Sequence, residues 1–163
     1  MQANFKTRMM KKLIIITLLL LCHLNIFAPT LTQEYKTKRF ELESLKYLPF
    51  SEERMILYLS QFNIKYQDII IAQARLETGY YLSLIFLENN NLFGMKNPRV
   101  RQTTSLGSRY GHAYYAHWTD SVDDYVLWYE YNMNRIEDCY YTFLKKVGYA
   151  QDKKYIKKLK QLV

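Results

Sequence analysis

Between Gln67 and Glu77 the chain carries Ile69, Ile70, Ile71, Ala72, Ala74 and Leu76, which surround nearly the whole circumference of a helix instead of forming one stripe. Such a helix is stable only when other elements wrap it, so the segment predicts a central buried helix in a helical domain. Gly79 marks its end, because glycine accepts the left-handed backbone that closes a helix. Only 5 Gly and 3 Pro occur among 163 residues, too few turn formers for an all-β sandwich. A 49% hydrophobic content excludes wholesale disorder, and the length suits one domain with one core.

Further helices follow from local signals. Ser51 caps a helix with Glu52 and Glu53 in its first turn, where the dipole favours acids, and Met55, Ile56, Tyr58 and Leu59 form its apolar face up to about Phe62. A short helix is expected over 81–87. From Glu88 to Asp120 the Asn-Asn-Asn run, Gly94, Pro98, Gly107 and Gly111 break any helical period. Residues 111–118 read as a strand, paired with the region 100–104, in a small β lobe. Helices resume at a Ser121 cap over about 122–134, with Asp123 and Asp124 as first-turn charges, then over about 137–146, stopping at Gly148. The last begins near Asp152 and places Tyr155, Ile156, Leu159 and Leu162 at helical spacing.

The first 28 residues read as an export signal. Lys6, Arg8, Lys11 and Lys12 precede the apolar run from Leu13 to Leu21, which is shorter than the ~20 residues a bilayer span requires. Pro29 after Ala28 makes the cleavage site indistinct, so an uncleaved membrane anchor is the alternative. Residues 29–44, polar and charged, read as a linker, and 45–163 as the folded domain. The four bases of the signal, with no acid beside them, account for half of the formal charge of +8. What remains is a modestly basic surface suited to anionic polymers. No nucleic-acid-binding module is visible. Neither the cysteines (Cys22, Cys139) nor the histidines (His23, His112, His117) show metal-ligand spacing, so no metal or cofactor is expected. Sixteen tyrosines, each an apolar ring with a polar tip, suit either half-buried helix packing or a sugar-binding surface.

Glu77 ends the apolar helix. Burial and the negative end of the helix dipole both disfavour its ionised form, so it is suited to hold a proton near neutral pH. A carboxyl in that state can protonate a glycosidic oxygen. The alternative is a solvent-facing Glu77 paired with Arg75 or Lys96.

Ala72-Gln-Ala-Arg-Leu-Glu77-Thr-Gly79, followed by Asn90-Asn-Leu-Phe-Gly-Met-Lys96, resembles the bacterial N-acetylglucosaminidase family of autolysins and flagellar wall-penetrating enzymes. The stretch from Tyr115 to Tyr125 is similar to the family's passage from β lobe to helix, and Gly148-Tyr-Ala-Gln-Asp-Lys-Lys-Tyr155 to its C-terminal signature. The blocks stand in the family's order and cover most of residues 45–163. This resemblance implies a lysozyme-like α+β fold, mainly α, with a cleft between helices and β lobe. It also implies hydrolysis of the β-1,4 bond after N-acetylglucosamine in the peptidoglycan glycan strand. A monomer without cofactor is expected. The family's catalytic acid falls on Glu77 and its cleft tyrosine on Tyr149. Asn91, Phe93, Tyr115 and Tyr125 are the implied substrate-binding residues. Asn-Leu-Phe-Gly after the acid departs from the Gly-Leu-Met-Gln block of lytic transglycosylases. The His and Cys of a zinc amidase are missing.

Many glycosidases use two carboxylates, and the family often places the second in the β lobe. No Asp or Glu occurs between Glu88 and Asp120. Glu88 or Asp120 could then supply a base from the lobe's edges, or the substrate's own N-acetyl oxygen could attack while Tyr149 orients it. The third alternative is a catalytically weak glycan-binding wall protein of the same fold.

Overall fold

A computed structural model of the chain describes residues 33–132 and 139–163. The expected export segment, 1–28, lies outside the described residues. Within the stretch read as a linker, residues 33–44 are helical (α1), and 29–32 lie outside the described residues. Their polar side chains form one-turn contacts on an exposed surface, among them Arg39 Nε to Glu43 Oε1 at 3.1 Å.

Residues Ser44–Val163 form one compact unit. After a single 3₁₀ turn at Leu45–Tyr47 come α2 (Glu52–Leu59), α3 (Gln67–Glu77) and α4 (Leu84–Asn89). Two short strands, β1 (Gly107–Arg109) and β2 (His112–Tyr114), precede α5 (Trp118–Asn132), α6 (Tyr140–Lys146) and α7 (Tyr155–Leu159). Helices thus predominate, with one two-stranded antiparallel sheet among the described residues. This is the mainly α, lysozyme-like α+β class expected from the sequence.

The caps explain the boundaries. Ser51 Oγ accepts the Arg54 N–H at 3.3 Å and opens α2. At the end of α3, Gly79 adopts φ +55°, Tyr80 N–H reaches the Arg75 carbonyl at 2.8 Å and Gly79 N–H the Leu76 carbonyl at 3.4 Å. That paired closure needs a left-handed residue at Gly79. Within α3, Ile70, Ala72, Gln73 and Ala74 are fully buried, so α3 is the central helix expected. It packs on α7, and α2 packs on α5.

Several boundaries differ from expectation for identifiable reasons. Helix α4 begins later than 81, because Tyr80 and Tyr81 take positive φ and Ser83 Oγ provides the cap, accepting Phe86 N–H at 3.2 Å. Strand β2 pairs with β1, not with 100–104. Tyr110 and Gly111 both adopt left-handed φ, making a two-residue turn that sets Arg109 opposite His112. Helix α5 starts one turn before Ser121, where Asp120 Oδ2 accepts the His117 N–H at 3.1 Å. Ser121 Oγ instead accepts Leu92 N–H at 3.0 Å, tying the preceding loop to the helix. Helix α6 starts at Tyr140 and α7 at Tyr155, each a few residues later than expected. Residues 133, 134, 137 and 138 of the expected helices lie outside the described residues.

Asp123 and Asp124, expected as first-turn surface charges, are tertiary contacts. Asp123 accepts the Tyr58 hydroxyl at 3.0 and 3.2 Å, and burial raises its pKa. Asp124 is fully buried and forms a two-pronged ion pair with Arg101, at 2.7 and 3.0 Å. The pair anchors the irregular segment 96–106 to α5.

The asparagine run turns from helix breaker into staple. Asn89 Nδ2 donates to the Arg109 and Ala113 carbonyls at 2.8 and 3.2 Å, and Asn90 Nδ2 to those of Tyr115 and Ala116 at 3.1 and 3.2 Å. Asn91 Nδ2 reaches the Met95 and Ala113 carbonyls, both at 2.8 Å. Side-chain amides thus supply the lateral hydrogen bonds that further strands would give a wider sheet.

Candidate active site

The end of α3, the loop 93–98, β2, α5 and the segment 147–152 enclose a cleft of about 790 Å³. That volume lies within the range of ligand sites. Its lining includes Glu77, Phe93, Gly94, Lys96, Arg101, His112, Trp128, Tyr149, Asp152 and Tyr155.

Glu77 is half-buried at the last position of α3. Desolvation raises its pKa above the ordinary carboxylate range, while a hydrogen bond from Tyr155 and the charge of His112 partly oppose the rise. Neither sequence-level partner holds it. Arg75 instead pairs with Glu52, Nε to Oε2 at 2.9 Å, and Lys96 is exposed. The loop backbone passes directly over the carboxyl at Gly94: with φ +61°, a Cβ there would lie 2.9 Å from Glu77 Oε2. Only glycine permits both that backbone and that approach. The arrangement can present a neutral carboxylic acid to a ligand in the cleft.

Tyr149 lines the same cleft, and its hydroxyl donates to the Phe93 carbonyl at 2.8 Å. Burial, with the neighbouring Tyr155 and Glu77, pushes that hydroxyl well above its ordinary pKa, so it stays a neutral donor. Phe93 borders the cleft but is 2% exposed, its ring 4.2 Å from that of Tyr125. It anchors the loop.

The remaining expected site residues lie elsewhere. Asn91 is buried and its carbonyl accepts Phe93 and Met95 N–H at 3.3 and 3.0 Å, so it shapes the loop from behind. Tyr115, expected as a substrate contact, is buried with its hydroxyl on Asp124 Oδ2 at 2.8 Å. Tyr125 is fully enclosed between Phe93, Trp128 and Tyr140. Both are core residues, because a helix period cannot distinguish a ring facing a cleft from one facing the interior. Glu88 is exposed outside the cleft lining, and Asp120 is committed to the start of α5.

Among the described residues, the carboxylate that joins Glu77 in the cleft lining is Asp152. Lys158 lies 2.7 Å away and holds its pKa below the usual range. By sequence Asp152 marks a helix start and Tyr155 falls at core spacing, although both stand in the C-terminal block similar to the family's. Arg101, His112 and Trp128 carry no local signal, because only the folding of distant segments brings them together.

Comparison with curated proteins and with solved structures returns no match. The family profile described as glucosaminidase, mannosyl-glycoprotein endo-beta-N-acetylglucosaminidase, matches residues 53–163, about two thirds of the chain and all of the cleft lining. By that match the chain belongs to the glucosaminidase family, a family of glycosidases.

Proposed function

We propose that this protein is an exported peptidoglycan hydrolase that cuts the β-1,4 bond after N-acetylglucosamine, with Glu77 as general acid. The observation that carries the reading is the half-buried Glu77 carboxyl, its pKa raised by burial, at the wall of a sugar-sized cleft and crossed by the Gly94 backbone. Export rests on the basic and apolar pattern of residues 1–28, through which an uncleaved segment would tether the domain to the membrane.

The bond breaks with its electron pair leaving on the glycosidic oxygen, which takes the Glu77 proton. Among the described residues, Glu88 and Asp120 are not in the cleft lining, and Asp152, which is, stays ionised in a pair with Lys158. In this reading the second group is the substrate's acetamido oxygen, which bonds to the anomeric carbon as the leaving group departs. Tyr149 donates its hydrogen to Phe93, so its oxygen lone pairs are available to the acetamido N–H. That contact turns the carbonyl oxygen toward the reacting carbon. Water then opens the cyclic intermediate, returning a proton to Glu77.

Release of reducing ends from purified peptidoglycan tests the proposal. Glu77→Gln should lower it by about 10²–10⁴-fold with the fold intact, and full activity in that variant overturns the assignment. The hairpin supplies His112 to the cleft and no carboxylate, which favours a second reading: a wall-binding protein of weak activity. Wild-type protein that cosediments with wall but releases no reducing ends would establish that alternative.

A further inference from the structure

Four buried polar side chains behind the cleft form a hydrogen-bonded string that ends at Tyr155, in the cleft lining beside Glu77. Tyr140 and Tyr125 share a hydrogen bond between hydroxyls at 2.7 Å, and the Tyr125 hydroxyl donates to Gln73 Oε1 at 2.6 Å. Gln73 Nε2 donates to the Tyr155 hydroxyl at 3.4 Å. Tyr155 and Glu77 both border the cleft, Glu77 stands one helical turn after Gln73 on α3, and the Tyr155 hydroxyl and the carboxyl influence each other's protonation. All four string residues are buried, Tyr155 the most exposed at 7%.

The amide of Gln73 gives the string a direction. Its oxygen can only accept and its nitrogen can only donate. Tyr125 must therefore spend its hydrogen on Gln73, which leaves Tyr140 as the donor to Tyr125. Tyr155 receives the Gln73 N–H, so its own hydrogen is free for Glu77. Every donor in the string points toward the cleft, and the last one requires an accepting oxygen on Glu77. A protonated carboxyl has one good acceptor, its carbonyl oxygen.

Building on the reading of Glu77 as the acid, we propose that Tyr155 is its positioning residue. The string Tyr140–Tyr125–Gln73–Tyr155 holds one Glu77 oxygen as acceptor, so the transferable proton stands on the other. Tyr149 does not share this task, because its hydroxyl is given to Phe93. Without the string, the carboxyl could rotate and exchange its two oxygens, and the proton would face the leaving group only part of the time.

Carboxyl 13C NMR titration of Glu77 tests this without relying on activity. A donor to the carboxylate opposes the rise caused by burial, so its loss should move the Glu77 midpoint upward. The expected shift in Tyr155→Phe is about 0.5–1 unit, with a smaller one of the same sign in Tyr125→Phe. His112, Tyr149, Lys96, Arg101, Asp152 and Lys158, the titratable and charged groups bordering the cleft around Glu77, are the same in both variants. They would not produce the difference. In turnover, Tyr155→Phe should lower kcat about tenfold with KM unchanged, and the alkaline limb of its pH profile should move up with the midpoint. A role in stability alone would leave that limb in place. An unmoved or lowered midpoint in either variant overturns the string, and Tyr125→Phe decides the matter should Tyr155→Phe fail to fold. If Glu77→Gln retains full activity, the parent reading fails, while the titration still decides whether Tyr155 controls the carboxyl.

Discussion

Gly94 and Glu77 are in contact: the backbone of the loop following Asn91 crosses the end of α3 so closely that a methyl group on Gly94 would meet Oε2 at 2.9 Å. The loop is held at that height by Asn91, which bonds Met95 through both its amide and its carbonyl. The carboxyl is thus confined from above by Gly94 and shares the cleft lining with Tyr155.

Gly94→Ala should therefore impair turnover more than folding. The positive φ would cost about 1 kcal/mol for alanine, read as a modest loss in urea denaturation. Displacing the carboxyl by part of an ångström should lower kcat by about 10²-fold. A variant with wild-type kcat would show that Glu77 does not need its observed position.

The raised pKa of Glu77 has a sign in stability as well. Its folded-state value lies above the unfolded one because burial disfavours the charge. Between those two values the folded state binds more protons, so stability falls as pH rises through the window. Glu77→Gln, which cannot ionise, should have a melting temperature that gains on the wild type as pH climbs above about 4.5 and converges with it below. A constant difference across pH would contradict the buried, proton-holding carboxyl.

Arg101 and Asp124 form an enclosed ion pair, their side chains 6% and 0% exposed. Removing one partner strands the other charge, so Arg101→Met should destabilise the domain by about 3–5 kcal/mol. Arg101→Met with Asp124→Asn should recover part of the loss, because Asn leaves no unpaired charge. Chemical denaturation of the single and double variants measures both.

Glu88→Gln and Asp120→Asn test which carboxylates take part in chemistry. Each should retain kcat within about twofold, since neither lines the cleft. Asp120→Asn should show a small stability loss, about 0.5 kcal/mol or less, because Asn keeps a side-chain oxygen that can accept the His117 N–H. A collapse of turnover in either variant would place a protein base where the acetamido group is proposed to act.

The buried α3, the Ser51 cap, the Gly79 closure and the position of Glu77 at the end of an apolar helix were legible in the chain, because each depends on residues within a few positions of one another. Local rules also located the β segment near 111–118 but not its partner, since the turn depends on Tyr110 accepting a left-handed conformation that sequence seldom signals in a tyrosine. The roles of Tyr115, Tyr125, Asp123, Asp124 and Tyr155 were decided only by folding. A residue on a helix has the same spacing whether it faces a cleft, a core or a distant partner, and the 52 positions separating Gln73 from Tyr125 carry no local trace of the hydrogen bond between them.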